Sequence, residues 1–207
     1  MADETVATDD FTGDEDPLAT NWETVDWFTA PLKTGGYAKG RSNNNHLAFW
    51  DADTFEDDQY SQSYCSDATP TGSQVVGVAV RCRDATHDGY MATVCGWQNT
   101  GGVVQKWVQG ENTELSYTGW TVGTAEKLFR IQVEGTTIKV FWDGTQYHGD
   151  ITDSSLTEGY AGIYCSAAKT GFHNSWEGGN IVAAGGGHPT IKRWGGVPGM
   201  AINRGVW

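Results

Sequence analysis

Basic residues are scarce in this chain: 13 Lys and Arg stand against 26 Asp and Glu, for a net charge of −13 over 207 residues. So acidic a surface lacks the basic patches that nucleic-acid binding needs and repels anionic lipid, so neither nucleic acid nor membrane is expected as a partner. Long apolar runs are also missing. No stretch approaches transmembrane length, and "MADETVATDD" places acids where a secretory leader needs bases. The expectation is a chain made and folded in a cytoplasm. Cysteine is sparse and widely spaced, at Cys65, Cys82, Cys95 and Cys165, which suits neither a paired-thiolate zinc site nor a dense disulfide framework. Buried, reduced thiols are expected, with a cross-strand disulfide left open. Helical periodicity is absent, since no window repeats apolar residues at i, i+3, i+4 and i+7 over three turns. No internal repeat suggests a propeller or solenoid.

What is present is strand and turn. The chain holds 28 glycines and 10 tryptophans, and its hydrophobic content of 38% is low but sufficient for a core. In "SQVVGVAVRCR", Val76, Val78, Val80 and Cys82 alternate onto one face, with Arg81 and Arg83 opposite; "DGYMATVCGW" follows a polar turn and completes a hairpin. "GVVQKWVQG" and "ENTELSYTGW" read as further strands. The clearest hairpin is "LFRIQVEGTTIKVFWDG", where Phe129, Ile131 and Val133 share a face that Ile138, Val140 and Trp142 continue. Glu134-Gly135 and Asp143-Gly144 supply the positive φ of short turns. "EGYAGIYCS" and "GFHNSWEGG" read as late strands. About a dozen short strands with one apolar face each predict two packed antiparallel sheets.

The order of these features resembles the concanavalin A-like, laminin G-like jelly rolls. "DDFTGDEDPLATNW" resembles the first strand of that group, "AFWDADTFEDDQYSQS" a strand pair with a short acidic turn, and "LFRIQVEGTTIKVFWDGTQ" its paired late strands. "TDSSLTEGYAGIYCS" and "FHNSWEGG" resemble its closing strands, so the likeness spans about residues 9–179. It implies an all-β, antiparallel two-sheet jelly-roll sandwich. The predicted organisation is an acidic segment at 1–8, the sandwich at 9–177, and a Gly-rich linker and extended C-terminal arm at 178–207, with the arm proper from 190.

Many such jelly rolls are glucanases, and the laminarinase-like ones carry Glu-x-Asp-x-x-Glu on one strand, where period-2 spacing gathers the carboxylates on one face. This chain has no such motif; Glu56, Asp57 and Asp58 read as a solvated turn. It has no Gly-x-Ser-x-Gly elbow and no phosphate-binding loop motif, and His46, His87, His148, His173 and His188 read as dispersed surface side chains. The expectation is a protein that is not an enzyme. No cofactor is required, and calcium is the one candidate ion. Related jelly rolls often bind it where the first and last strands meet, and Asp9, Asp10 and Glu177 are the candidate ligands here. Glycan binding without catalysis would use aromatic faces, with Trp27, Trp50, Trp97 and Trp120 as candidates because they end strands or adjoin loops.

The end of the chain differs from the rest. Residues 178–207 hold Lys192, Arg193 and Arg204 and no acid, so they carry +3 while the remainder carries −16. Ile191, Trp194, Val197, Pro198, Ile202 and Trp207 punctuate the arm, and such apolar residues do not suit a purely solvating tail. An extended arm can pair with a neighbour's sheet edge, with Trp and Arg as anchors and its bases against acidic surface. "IKRWGGVPGMAINRGVW" resembles the C-termini of tailed-bacteriophage virion proteins. That resemblance implies a virion structural protein: a capsid decoration or head-fibre protein assembling through its arm. Its partners would be copies of itself, with the number left open and a trimer one candidate, the major capsid protein, and host-surface glycan. The alternatives are a phage tail or adsorption protein, or a cellular carbohydrate-binding module.

Overall fold

The computed structural model describes residues 6–25, 28–41, 45–67, 75–83, 88–95, 101–119, 126–166 and 171–182. Those residues form sixteen strands and no helix. In chain order they are β1 (Val6–Asp9), β2 (Trp22–Thr24), β3 (Leu32–Thr34), β4 (Tyr37–Lys39), β5 (Asn45–Trp50), β6 (Gln59–Asp67), β7 (Val75–Arg83), β8 (Asp88–Cys95), β9 (Gly101–Val108), β10 (Glu111–Thr118), β11 (Lys127–Glu134), β12 (Thr137–Trp142), β13 (Thr145–Gln146), β14 (Ile151–Thr152), β15 (Tyr160–Ser166) and β16 (Gly171–Asn180). The first sheet runs β13-β12-β11-β6-β16-β4-β3, with β1 beside β16 and β14 beside β12; the second runs β10-β9-β8-β7-β15-β5-β2. The pairings are antiparallel, and the hairpins expected at β7–β8 and β11–β12 form. Asp143 and Gly144 both take positive φ in the β12–β13 turn, as the Asp-Gly pair predicts.

The two sheets bury their facing sides. Val76, Val78, Val80 and Val104 of the second sheet meet Phe129, Ile131, Val133, Ile138 and Val140 of the first. Toward one end an aromatic box replaces these aliphatics: Trp22 lies 4.7 Å from Trp176, Trp50 stacks on Trp176 at 5.5 Å, and Phe11 adjoins Trp22. Each indole N–H finds an acceptor, on Asp9, Asp53 or Ser61, as buried tryptophan requires. Gly178 provides the room for this box, since a Cβ there would lie 2.5 Å from the Trp176 ring.

β6 alternates against the usual sense. Gln59, Ser61 and Ser63 point between the sheets, while Tyr60, Gln62 and Tyr64 point outward. The inward polar groups are not orphans. Ser61 donates to the Gly162 carbonyl of the second sheet and accepts from Trp176, and Gln59 bonds the Glu56 and Gly159 carbonyls and the Arg81 N–H. They act as cross-sheet ties in place of apolar contact, at about 1 kcal/mol net each.

Several sequence expectations change here. The alternation assigned to β7 fails after Val80, because the register shifts between Val80 and Arg83 and Arg81 takes φ 53°. That bulge moves Cys82 to the opposite face from the valines and buries Arg81, whose guanidinium donates to the carbonyls of Asp57, Gly135 and Leu156. His46, His148 and His173 are buried, not surface side chains. The boundaries move as well: the first strand begins at Val6, and the last runs to Asn180, past the linker start expected at residue 178. Gly178 and Gly179 read as linker because glycine is rare inside strands, yet here each pairs with both β1 and β6. Cys65, Cys82 and Cys165 are buried free thiols, and the Cys95 side chain lies outside those described.

Candidate functional site

The outward side of the first sheet carries an extended array of hydrogen-bonding and aromatic side chains. Two ladder rows cross it. In one, Arg130 of β11 stands opposite Gln62 of β6, which stands opposite Glu177 of β16. In the next, Tyr64 of β6 pairs with Asn174 of β16, and Tyr37 of β4 lies one residue beyond the His173–Ala38 pair on the far side. A bulge creates this arrangement. His173 and Trp176 are three residues apart and in a regular strand would face opposite ways. Ser175, at φ 55°, is the extra residue that lets both turn inward and sends Asn174 and Glu177 out.

The side chains of the first row form one network. Arg130 lies over the Tyr60 ring at 3.9 Å and donates through Nη1 to Gln62 Oε1 at 3.2 Å and through Nε to Gln132 Oε1 at 3.0 Å. Gln132 donates to Glu134 at 2.7 Å, and Lys139 lies 3.6 Å from the same Glu134 oxygen. Tyr60 Oη donates to Glu177 Oε1 at 2.6 Å, and Gln62 Nε2 donates to that oxygen at 3.1 Å. Burial draws the Arg130 pKa down, and the neighbouring Tyr60, Glu177 and Glu134 oppose it; a guanidinium keeps its charge under such a shift. Arg130 Nη2 and Glu177 Oε2 take no bond from the described residues. Tyr64 and Tyr37 are 37% and 39% exposed.

The calcium candidates do not come together. β1 and β16 do pair, but Thr8 is the residue opposite Glu177, while Asp9 stands opposite Trp176. Alternation therefore puts Asp9 and Glu177 on opposite faces. Asp9 accepts from the Phe11 N–H at 2.7 Å and from Trp22 Nε1 at 2.9 Å; Asp10 accepts from the Thr12 N–H, a bond that lowers its pKa. Among the described residues no group of three or more His, Cys, Asp or Glu is placed to hold a metal ion. Of the tryptophan candidates, Trp50 is 7% exposed and stacked in the aromatic box, so it is core and not a sugar platform. Trp27, Trp97 and Trp120 lie outside the described residues, as do His87, His188 and the arm with Ile191, Lys192, Arg193, Trp194, Val197, Pro198, Ile202, Arg204 and Trp207.

Tyr60, Gln62, Tyr64, Arg130 and Asn174 were missed in the sequence, and only Glu177 was picked out, for a different role. The available signal was "QYSQSYC", whose tyrosines alternate with serines.

No family model and no curated protein matches the sequence. The fold is similar to that of a carbohydrate-binding module, CBM66 from Bacillus subtilis, at 18% identity over 77% of this chain and 92% of that one, with a TM-score of 0.59. It is also similar to a Bacillus licheniformis beta-glucanase, at 12% identity over 86% and 98% of the two chains and a TM-score of 0.55. The exoplasmic/lumenal domain of VIP36, in a Ca2+/Man2-bound form, matches at 10% identity over 89% and 90% with a TM-score of 0.60. A carbohydrate-binding module, a glucanase and a Man2-bound domain thus share this architecture. At these identities the likeness establishes one thing, that the chain has the concanavalin A-like jelly-roll fold, an antiparallel two-sheet β-sandwich.

Proposed function

We propose that the sandwich is a glycan-binding module that takes its ligand on the outward face of the first sheet. The observation that carries this reading is the pair of adjacent rows, Arg130–Gln62–Glu177 and Tyr64–Asn174–Tyr37. Sugars need planar apolar faces beside fixed donors and acceptors, and the rows offer both on a rigid sheet. The similar structures that bear the names of a carbohydrate-binding module and a mannose-bound domain support the same reading. The reading is non-catalytic. Glu177 and Glu134, the two carboxylates in the network, stand on β16 and β11 with β6 between them. Glu134 also lies four residues along β11 from Arg130, the residue in the row of Glu177, so the two backbones are on the order of 15 Å apart, whereas a retaining pair needs carboxyl groups about 5–5.5 Å apart.

The test is a carbohydrate array followed by calorimetry on the hits. Saturable binding that Tyr64→Ala weakens by about tenfold or more supports the reading. Absence of any saturable glycan overturns it.

The charge contrast of residues 178–207 favours a second, separable role. Its +3 against −16 elsewhere suits attachment to an acidic partner, either another copy of this chain or a virion protein. Deleting residues 190–207 is expected to leave a folded sandwich that no longer incorporates into particles. Full occupancy by the truncated chain removes the arm from assembly.

A further inference from the structure

Resting on the glycan-binding reading, we infer that the ligand is an uncharged glycan, read through hydroxyl groups shared between Arg130 and Glu177 and not through charge. A sugar hydroxyl both donates and accepts, so two neighbouring hydroxyls are best met by a donor beside an acceptor. Among the described residues the first row provides that combination across Gln62, with Arg130 Nη2 and Glu177 Oε2 not used in its internal bonds. A carboxylate-bearing sugar would need the reverse, cations without a matched acid.

The charges of Arg130 and Lys139 are already answered. Arg130 sits on Tyr60 in the row that ends on Glu177, and Lys139 faces Glu134. Lys39, beyond Tyr37, stands with Asp14, Glu15, Asp16 and Lys33 around a hollow of about 300 Å3, where Lys33 pairs with Glu15 and Asp16 with Arg41. A polyanion reaching the face would also meet a chain of net charge −13, whose repulsion extends about 10 Å at moderate salt. A neutral polymer meets no such barrier. Tyr64, exposed beside Asn174, offers a ring face to one residue of such a polymer.

The experiment measures binding of the full chain to uncharged polysaccharides (β-glucan, mannan, fructan) and to acidic ones (alginate, polygalacturonate), at about 50 mM and about 500 mM salt. The expected result is binding confined to one or more uncharged polymers, changing less than about twofold between the two salts. Glu177→Gln keeps the shape but turns one acceptor oxygen into a donor, and is expected to weaken binding about tenfold or more. Tighter binding of an acidic polymer overturns the inference while leaving glycan binding in place, as does uncharged-polymer affinity that falls with salt or is indifferent to Glu177→Gln. Failure of every polymer to bind instead removes the glycan-binding reading, and this inference with it.

Discussion

The outward sides of the two sheets make a direct contrast. On the first sheet the outward side is polar, with Gln62 and Tyr60 buried under a network of Arg130, Gln132 and Glu177 and the more exposed Tyr64 and Tyr37 beside it. On the second sheet the outward side is apolar and covered. Leu47, Phe49, Ala79, Cys82 and Tyr164 are buried there beneath Val25 and Phe28, with Phe28 set edge-on to Trp107 at 5.2 Å. The difference begins in the strands. β5 and β7 are apolar on both faces, so they need cover on both, and the segment after β2 supplies it: the Val25 and Thr29 N–H groups bond the carbonyls of Leu47 and Asn45 in β5. β6 is polar on both faces and needs no second cover. The site therefore lies where stability leaves the surface uncommitted, and this lets structural and binding roles be separated by mutation.

The largest effect is expected between the sheets. Trp176→Ala removes the centre of the aromatic box and should cost about 4 kcal/mol, read as the urea midpoint. A loss under about 1 kcal/mol would mean the box is not the common anchor of both sheets. Next comes the contrast itself. Phe49→Ala, on the covered face, should cost about 3 kcal/mol. Tyr64→Ala, on the open face, should change stability by about 0.5 kcal/mol or less while weakening glycan binding. Equal destabilisation by the two would erase the distinction between the faces.

A smaller effect is set by pH. Burial holds the His173 imidazole neutral, with its pKa pushed down to about 4, and burial lowers that of His148 as well. The unfolded chain takes up these protons at higher pH than the folded one. Their contribution is thus complete above the ordinary histidine range and is lost as pH falls toward 4, by about 2 kcal/mol for His173 at pH 4.5. Denaturation of wild type and His173→Gln at pH 7 and pH 4.5 checks this, because the variant should show the shallower decline. The smallest effect concerns calcium. Asp9 already serves Phe11 and Trp22, and Glu177 lies across the strand pair, so chelator or added calcium should leave the melting temperature unchanged within about 1 °C. A rise of several degrees with calcium would place an ion at a site formed by other residues.

Much of the fold was legible because alternation and turn chemistry are local signals. Phe129 to Trp142 read correctly as a hairpin, since both its periodicity and its Gly-containing turns lie within one short window. The meeting of the first and last strands was legible through the resemblance. What was hidden depends on distant partners. Nothing near Arg81 announces that its guanidinium would find the carbonyls of Asp57, Gly135 and Leu156. Trp50 next to an acidic loop looked exposed, because its acceptor Asp53 sits in that same loop and the stacking Trp176 lies far along the chain. The site was hidden by β6, whose inward serines reverse the apolar alternation, and by Ser175, whose extra residue shifts the face of Glu177 relative to Asn174.

The position of β16 has a consequence for how the chain is made. It lies between β6 and β4 in the first sheet, pairs with β1, and brings Trp176 to Trp22 and Trp50. During synthesis the strands that β16 joins, β6, β4 and β1, must therefore wait for their partner until residues 171–180 have left the ribosome. Closure is a late, long-range event, and the half-built sandwich presents unpaired edges throughout the delay. A net charge of −13 is then a safeguard for the nascent chain, since like-charged intermediates repel one another before the final strand arrives to close the sheet.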